Sequence, residues 1–167
     1  MLRTLLLTAG LLTSLVGWAE TLSGQVVRVK DGDTIVVLTA DHRQEDVRLM
    51  GIDAPEKRQA FGQRAKEQLS DMVFGHQVEI EWRKRDRDHR IIGQVFVDGV
   101  DANLELVTTG LAWHYARFQR EQLIADRGRY AEAELLARAE RRGLWADESP
   151  IPPWDFRPKR TKRKAPL

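Results

Sequence analysis

The chain has 167 residues, room for one domain of ordinary size. Hydrophobic residues make up 42% and charged residues 31%, which excludes global disorder, and the absence of cysteine excludes disulfides, thiolate metal sites and cysteine nucleophiles. The net charge of +2 hides a split: residues 20–156 carry 20 basic against 25 acidic side chains, a net of −5, whereas residues 157–167 carry six basic and no acidic ones. A body of that sign does not coat a polyanion by charge alone. Such a partner needs a local basic site, the tail, or a bridging cation.

Residues 1–19 read as an export signal. Met1-Leu2-Arg3 is a short positive start, Thr4 to Val16 is an uncharged apolar run, and Gly17-Trp18-Ala19 places small residues three and one before a cut. The mature, exported chain is expected to be periplasmic or secreted and to begin at Glu20. N-terminal sequencing of the exported protein checks this, and retention of Met1 refutes it.

Leu22 to Lys30 mixes apolar and polar residues and ends in the turn-type Asp31-Gly32-Asp33. The β-branched run Thr34 to Thr39 reads as a strand buried on both faces. Glu45 to Ile52 reads as its hairpin partner across a polar loop at 40–44. Pro55 stops that strand. A helix is expected from about Glu56 to Phe74, with Phe61, Ala65, Leu69 and Val73 on one face and Gly75 past its end. Val78, Ile80 and Trp82 alternate with polar residues as a half-buried strand, and Ile91 to Val97 forms another before the Asp98-Gly99 turn. Asp101 can cap a short helix to Thr109. Leu111 to Phe118 reads as irregular or extended. A long helix is expected from Asp126 to Arg142, then the rigid Ile151-Pro152-Pro153-Trp154, which can fold back on the body, and a disordered basic tail from Arg157 to Leu167. Three strands, a helix, two strands and two helices do not make a βαβ sheet. They fit an α+β, mainly antiparallel, five-stranded OB-type barrel with about three helices.

A hairpin folded about residue 42 sets Asp33 opposite Gly51 and Asp53 opposite Asp31, so Asp33 and Asp53 gather at one open edge. Converging carboxylates repel unless protonated or joined by a cation. An all-oxygen ligand set suits Ca²⁺ or Mg²⁺ and disfavours Zn²⁺. Arg48 lies an odd number of residues from Asp53, so the two share a site only if Gly51 bends the strand or Asp53 lies past its end.

Asp-Gly-Asp-Thr, then Arg48-Leu49-Met50-Gly51-Ile52-Asp53-Ala54-Pro55-Glu56, then a charged loop ending in Arg90, resemble the staphylococcal nuclease family. Asn103-Leu104-Glu105-Leu106-Val107, Gly110-Leu111-Ala112 and Arg142-Gly143-Leu144-Trp145 extend the resemblance across residues 22–145. It implies an OB-fold nuclease that cleaves DNA and RNA with Ca²⁺, acting here as a monomer. By the same resemblance Asp33, Asp53 and the Ala54 backbone carbonyl hold the ion. Glu56 matches the general base, and Arg48 and Arg90 match the arginines on the scissile phosphate. The family flanks its bound nucleotide with two tyrosines; an ungapped match sets Ala116 and Phe118 there, with Tyr115 one residue early. Trp113 and Trp145 read as packing residues.

Overall fold

The computed structural model describes residues 20–158, so the expected leader and residues 159–167 of the tail lie outside the described residues. In chain order the elements are β1 (Glu20–Asp31), β2 (Thr34–Thr39), β3 (Gln44–Leu49), β4 (Ile52–Asp53), α1 (Gly62–Val73), β5 (Gln77–Arg85), β6 (Ile91–Val97), β7 (Val100–Asp101), α2 (Ala102–Thr108), β8 (Trp113–His114), α3 (Ile124–Ala139) and the single turn α4 (Pro153–Phe156). Two 3₁₀ turns, Ala116–Glu121 and Gly143–Ala146, flank α3.

The sheet runs β3-β2-β1-β5-β6-β7 and closes on itself where β3 pairs with β6. That pairing is parallel, through Val47↔Ile91 and Leu49↔Gly93, while the other strand pairs are antiparallel. The five-stranded barrel of the OB type is therefore mixed by one seam. β1 is long enough to pair with β5 through its first half and with β2 through its second, and irregularities after Val26 and Val29 let it bend between them.

Val26, Ile35, Val37, Val47, Leu49, Ile80, Ile91 and Val95 are buried in the core. Ala65, Leu69 and Val73 of α1 are fully buried against them, and Phe61 is partly buried, as the four-residue spacing predicts. Trp113 and Trp145 form a second cluster with Ala137 and Leu144, and the Arg138 guanidinium lies 4.0 Å from the Trp145 ring centroid.

Two expected details differ. The β2–β3 pairing sets Thr34 opposite Arg48, two residues out of the predicted register, because the chain turns at residues 40–43 with His42 in the left-handed region (φ 59°). A shift of two preserves which face each side chain takes. α1 begins at Gly62 rather than near Glu56: Phe61 sits at φ 66° with no side-chain cap, and residues 56–62 form turns instead. Glu56 is thereby on a loop, not on a helix.

Asp101 caps α2 as expected, accepting from Leu104 N at 3.0 Å. It also accepts from Gln94 Nε2 at 2.7 Å and from the hydroxyl of fully buried Tyr130 at 2.9 Å. Burial, then the Asp101 charge, push the Tyr130 phenol far above its ordinary value, so it stays a donor. Tyr130→Phe removes a donor to a buried carboxylate and should cost about 1.5–3 kcal/mol of stability. Urea unfolding checks it, and an unchanged midpoint would show that the bond contributes nothing.

Candidate active site

The chain corners sharply between β3 and β4. Gly51 adopts φ 77°, a conformation that favours glycine, and a Cβ there would also have to displace the Gln122 side chain, whose Nε2 would lie 2.2 Å away. Asn103, at the start of α2, clamps the corner by donating to the Met50 carbonyl at 3.0 Å and the Gly93 carbonyl at 3.1 Å while accepting from Val95 N at 3.0 Å. The sequence pattern marks Asn103 only as part of a matching motif; this clamp depends on contacts across 53 and 10 residues. β4 then pairs with β8, setting Asp53 opposite Trp113, and Tyr115 N donates to the Gly51 carbonyl at 2.8 Å.

The bend brings Arg48 and Asp53 to one place despite their odd spacing. Arg48 Nη1 lies 2.9 Å from Asp33 Oδ1, and its Nη2 lies 2.7 Å from Asp53 Oδ1. Asp33 Oδ2 accepts from Ala54 N at 3.0 Å, which ties the two acidic segments together through the backbone. Burial works against the Arg48 charge, but Asp33 and Asp53 outweigh it and hold the guanidinium above its ordinary value. Burial pushes Asp53 up, the neighbouring Asp33 adds to it, and Arg157 and Arg48 oppose it. Asp31 is pushed up to about 6 by burial and then by the Asp33 charge.

Asp53 is completely buried, and its Oδ2 has no hydrogen-bond partner. A buried carboxylate oxygen without a donor is costly unless something positive faces it. The donors here are all oxygen: the Asp33 and Asp53 carboxylates and the Ala54 carbonyl suit a hard divalent cation. Among the described residues no three acidic or histidine side chains form a preformed metal cage, so such an ion would complete its shell with water.

Glu56 forms no ion pair with Arg48. Its Oε1 accepts instead from Arg157 Nε, and Arg157 Nη2 lies 2.5 Å from Asp53 Oδ1. Asp33, Arg48, Asp53, Arg157 and Glu56 therefore form one chain of alternating charge. The composition of the C-terminal stretch marks Arg157 as the head of a basic tail; the structure instead turns it back into the site, a contact spanning 101 residues that composition cannot reveal. Rigid Pro152-Pro153 just before it is the one local signal.

Arg90 stands apart from the carboxylates but lines the same cleft as Arg48, about 550 Å³ in volume, together with Lys84, Arg87, Tyr115 and Phe118. Asp86 organises that edge: it accepts from Asp88 N at 2.9 Å, from Arg90 N at 3.0 Å and from Arg90 Nε at 2.9 Å. Slight burial of Asp86 works against its charge, but the Arg90 bonds prevail and hold it below its ordinary value. Tyr115 and Phe118 meet edge to face at 4.9 Å, while Ala116 lines a different groove with Trp113 and Trp154.

A family model described as "Staphylococcal nuclease homologue" matches residues 46–147. An uncharacterized endonuclease of Haemophilus influenzae is 40% identical over 80% of this chain and 71% of its own length. Protein ParB of Escherichia coli is 40% identical over 98% of this chain and 94% of its own, and a micrococcal nuclease of Shigella flexneri is 36% identical over 93% and 91%. The matched segment contains the Gly51 corner, Asp53, the arginine-lined cleft and the Trp113–Trp145 cluster on a closed barrel, and with these the chain belongs to the staphylococcal nuclease family and is a nuclease.

Proposed function

We propose that this nuclease hydrolyses phosphodiester bonds of both DNA and RNA in a Ca²⁺-dependent reaction, acting as a monomer. The observation that carries the reading is the convergence of buried Asp33 and Asp53 beneath Arg48, with Asp53 Oδ2 left without a donor. Asp33, Asp53 and the Ala54 carbonyl would hold the ion. When bound, it supplies positive charge against the negative charge that develops on the phosphate oxygens.

Arg48 and Arg90 enter the cleft from different strand ends and can grip one phosphate from two sides. Their planar, permanently charged forks match phosphate oxygens in pairs. Pre-positioned cations of this kind lower the barrier because they are already aimed where charge accumulates. Glu56, half-exposed on its loop, takes the water's proton or orients the water. Tyr115 and Phe118 offer ring faces and edges to a base without asking for its identity, which fits action on either sugar type.

The test uses the mature chain with duplex DNA, single-stranded DNA and RNA. Each substrate should be cut with Ca²⁺ present, spared with excess EGTA, and cut again when Ca²⁺ is restored. Cleavage that survives the chelator would overturn the calcium dependence, and cleavage of one polymer alone would overturn the lack of sugar preference.

A further inference from the structure

The segment after the second tryptophan cluster is strapped across the site from both ends. Gln59, on the Glu56 loop, donates through Nε2 to the Ile151 carbonyl. Pro153 is buried and starts α4, and Arg157 N closes the turn on the Pro153 carbonyl at 3.1 Å. Trp154 stacks on Tyr115 with centroids 5.0 Å apart and planes 4° from parallel, and meets Trp113 edge-on at 5.5 Å. This anchoring delivers the Arg157 guanidinium to Asp53 and Glu56 together.

Those two carboxylates are the ones the proposed reaction needs free. Asp53 must turn its charge toward the ion, and Glu56 must have an oxygen open to water. With Arg157 docked, Asp53 Oδ1 carries two guanidinium groups and Glu56 Oε1 carries one. An arginine is a cation that cannot be removed by deprotonation, so only displacement lifts its charge from the two carboxylates.

We propose that Arg157 is an internal cation that competes with Ca²⁺, a latch that sets how much calcium the enzyme requires. The proposal rests on the calcium reading above and adds its regulation. Calcium and the docked guanidinium share one negative site, so each weakens the other's hold. A latch closed in about nine molecules of ten lowers the apparent calcium affinity about tenfold, because only open molecules bind. Opening moves the strap, so calcium should also loosen it.

The experiment is calcium titration calorimetry on the full mature chain without nucleic acid, comparing wild type, Arg157→Ala, Arg157→Lys and the exposed-charge control Arg58→Ala. Hydrogen exchange of residues 151–157 is followed with and without Ca²⁺. Arg157→Ala should bind Ca²⁺ about tenfold more tightly, Arg157→Lys should fall between, and Arg58→Ala should match wild type within about twofold. Calcium should speed exchange in the wild-type strap. Equal or weaker binding by Arg157→Ala, while wild type binds, would overturn the latch and leave the calcium reading standing. An equal gain in Arg58→Ala, or strap exchange that calcium leaves unchanged, would reduce the effect to general charge and also overturn it. No calcium heat from any of the four proteins would overturn the calcium reading itself, and the latch with it.

Discussion

Glu56→Gln should give a folded protein that cleaves about 10²–10⁴-fold more slowly at saturating Ca²⁺, the usual range for losing a general acid–base group. The substitution keeps size and shape and removes the charge that could take a proton. It also removes the carboxylate that holds Arg157 Nε, so calcium and nucleic acid should bind at least as well as to wild type. Arg48→Lys fails differently. One guanidinium reaches Asp33 through Nη1 and Asp53 through Nη2, and a single ammonium cannot span both in that geometry. Turnover should fall because one ammonium cannot grip paired phosphate oxygens, and calcium affinity should shift too, since a ligand carboxylate loses its guanidinium partner. Asp33→Asn should raise the calcium concentration needed and also loosen the fold. Asp33 uses both oxygens as acceptors, from Arg48, Thr34 Oγ1 and Ala54 N, and an amide must turn its NH₂ toward one of those donors. That mismatch should cost roughly 1–3 kcal/mol. Single-turnover cleavage with circular dichroism separates the three. A folded Glu56→Gln protein cutting at the wild-type rate would remove Glu56 from the chemistry.

Gly62→Ala should damage both stability and cleavage although no charge changes. A Cβ at Gly62 would sit 2.0 Å from the Glu56 carbonyl oxygen, 2.7 Å from its carbonyl carbon and 3.1 Å from the Pro55 oxygen. All three are backbone atoms, so the loop itself must move. Alanine improves helix propensity by about 1 kcal/mol, but overpacking against a fixed backbone typically costs about 1–3 kcal/mol, so the net stability should fall or at best break even. Displacing Glu56 by about 1 Å is enough to cost on the order of 10²-fold in rate. Thermal unfolding and single-turnover rates measured together decide it: an unshifted Tm with a wild-type rate would mean that the loop yields freely and that Glu56 does not need its present position.

Features with a local cause were legible in the sequence. The four-residue spacing of Ala65, Leu69 and Val73 gave the buried face of α1, and the alternation of Val78 and Ile80 gave the inward face of β5. The odd spacing of Arg48 and Asp53 allowed a shared site only if Gly51 bent the strand or Asp53 lay past its end, and the chain bends at Gly51, φ 77°. What was not legible depends on partners far away in the chain. The parallel β3–β6 seam leaves no mark in β3, whose alternation of buried Val47 and Leu49 with polar residues is that of any half-buried strand. The β2–β3 register turned on His42 adopting a left-handed conformation that a polar loop does not announce. The start of α1 had no side-chain cap to mark it. Arg157 was hidden by its neighbours: one arginine among six basic residues looks solvated until the strap that aims it is seen.

The β3–β6 pairing has a consequence apart from the chemistry. Without it, β3 would be an outer strand offering unpaired amide and carbonyl groups to any similar strand nearby. With it, the end strand of this sheet, among the described residues, is β7, two residues long, and β1 keeps one open side over Glu20–Ser23. Where β1 leaves β5, its Val26 exchanges hydrogen bonds with the turn after α1, through His76 O and Gly75 N. A chain with no cysteine has no crosslink to restrain partly opened molecules from joining edge to edge. Here closure of the barrel does that work, by leaving little strand edge on which a second molecule could add and a fibril begin.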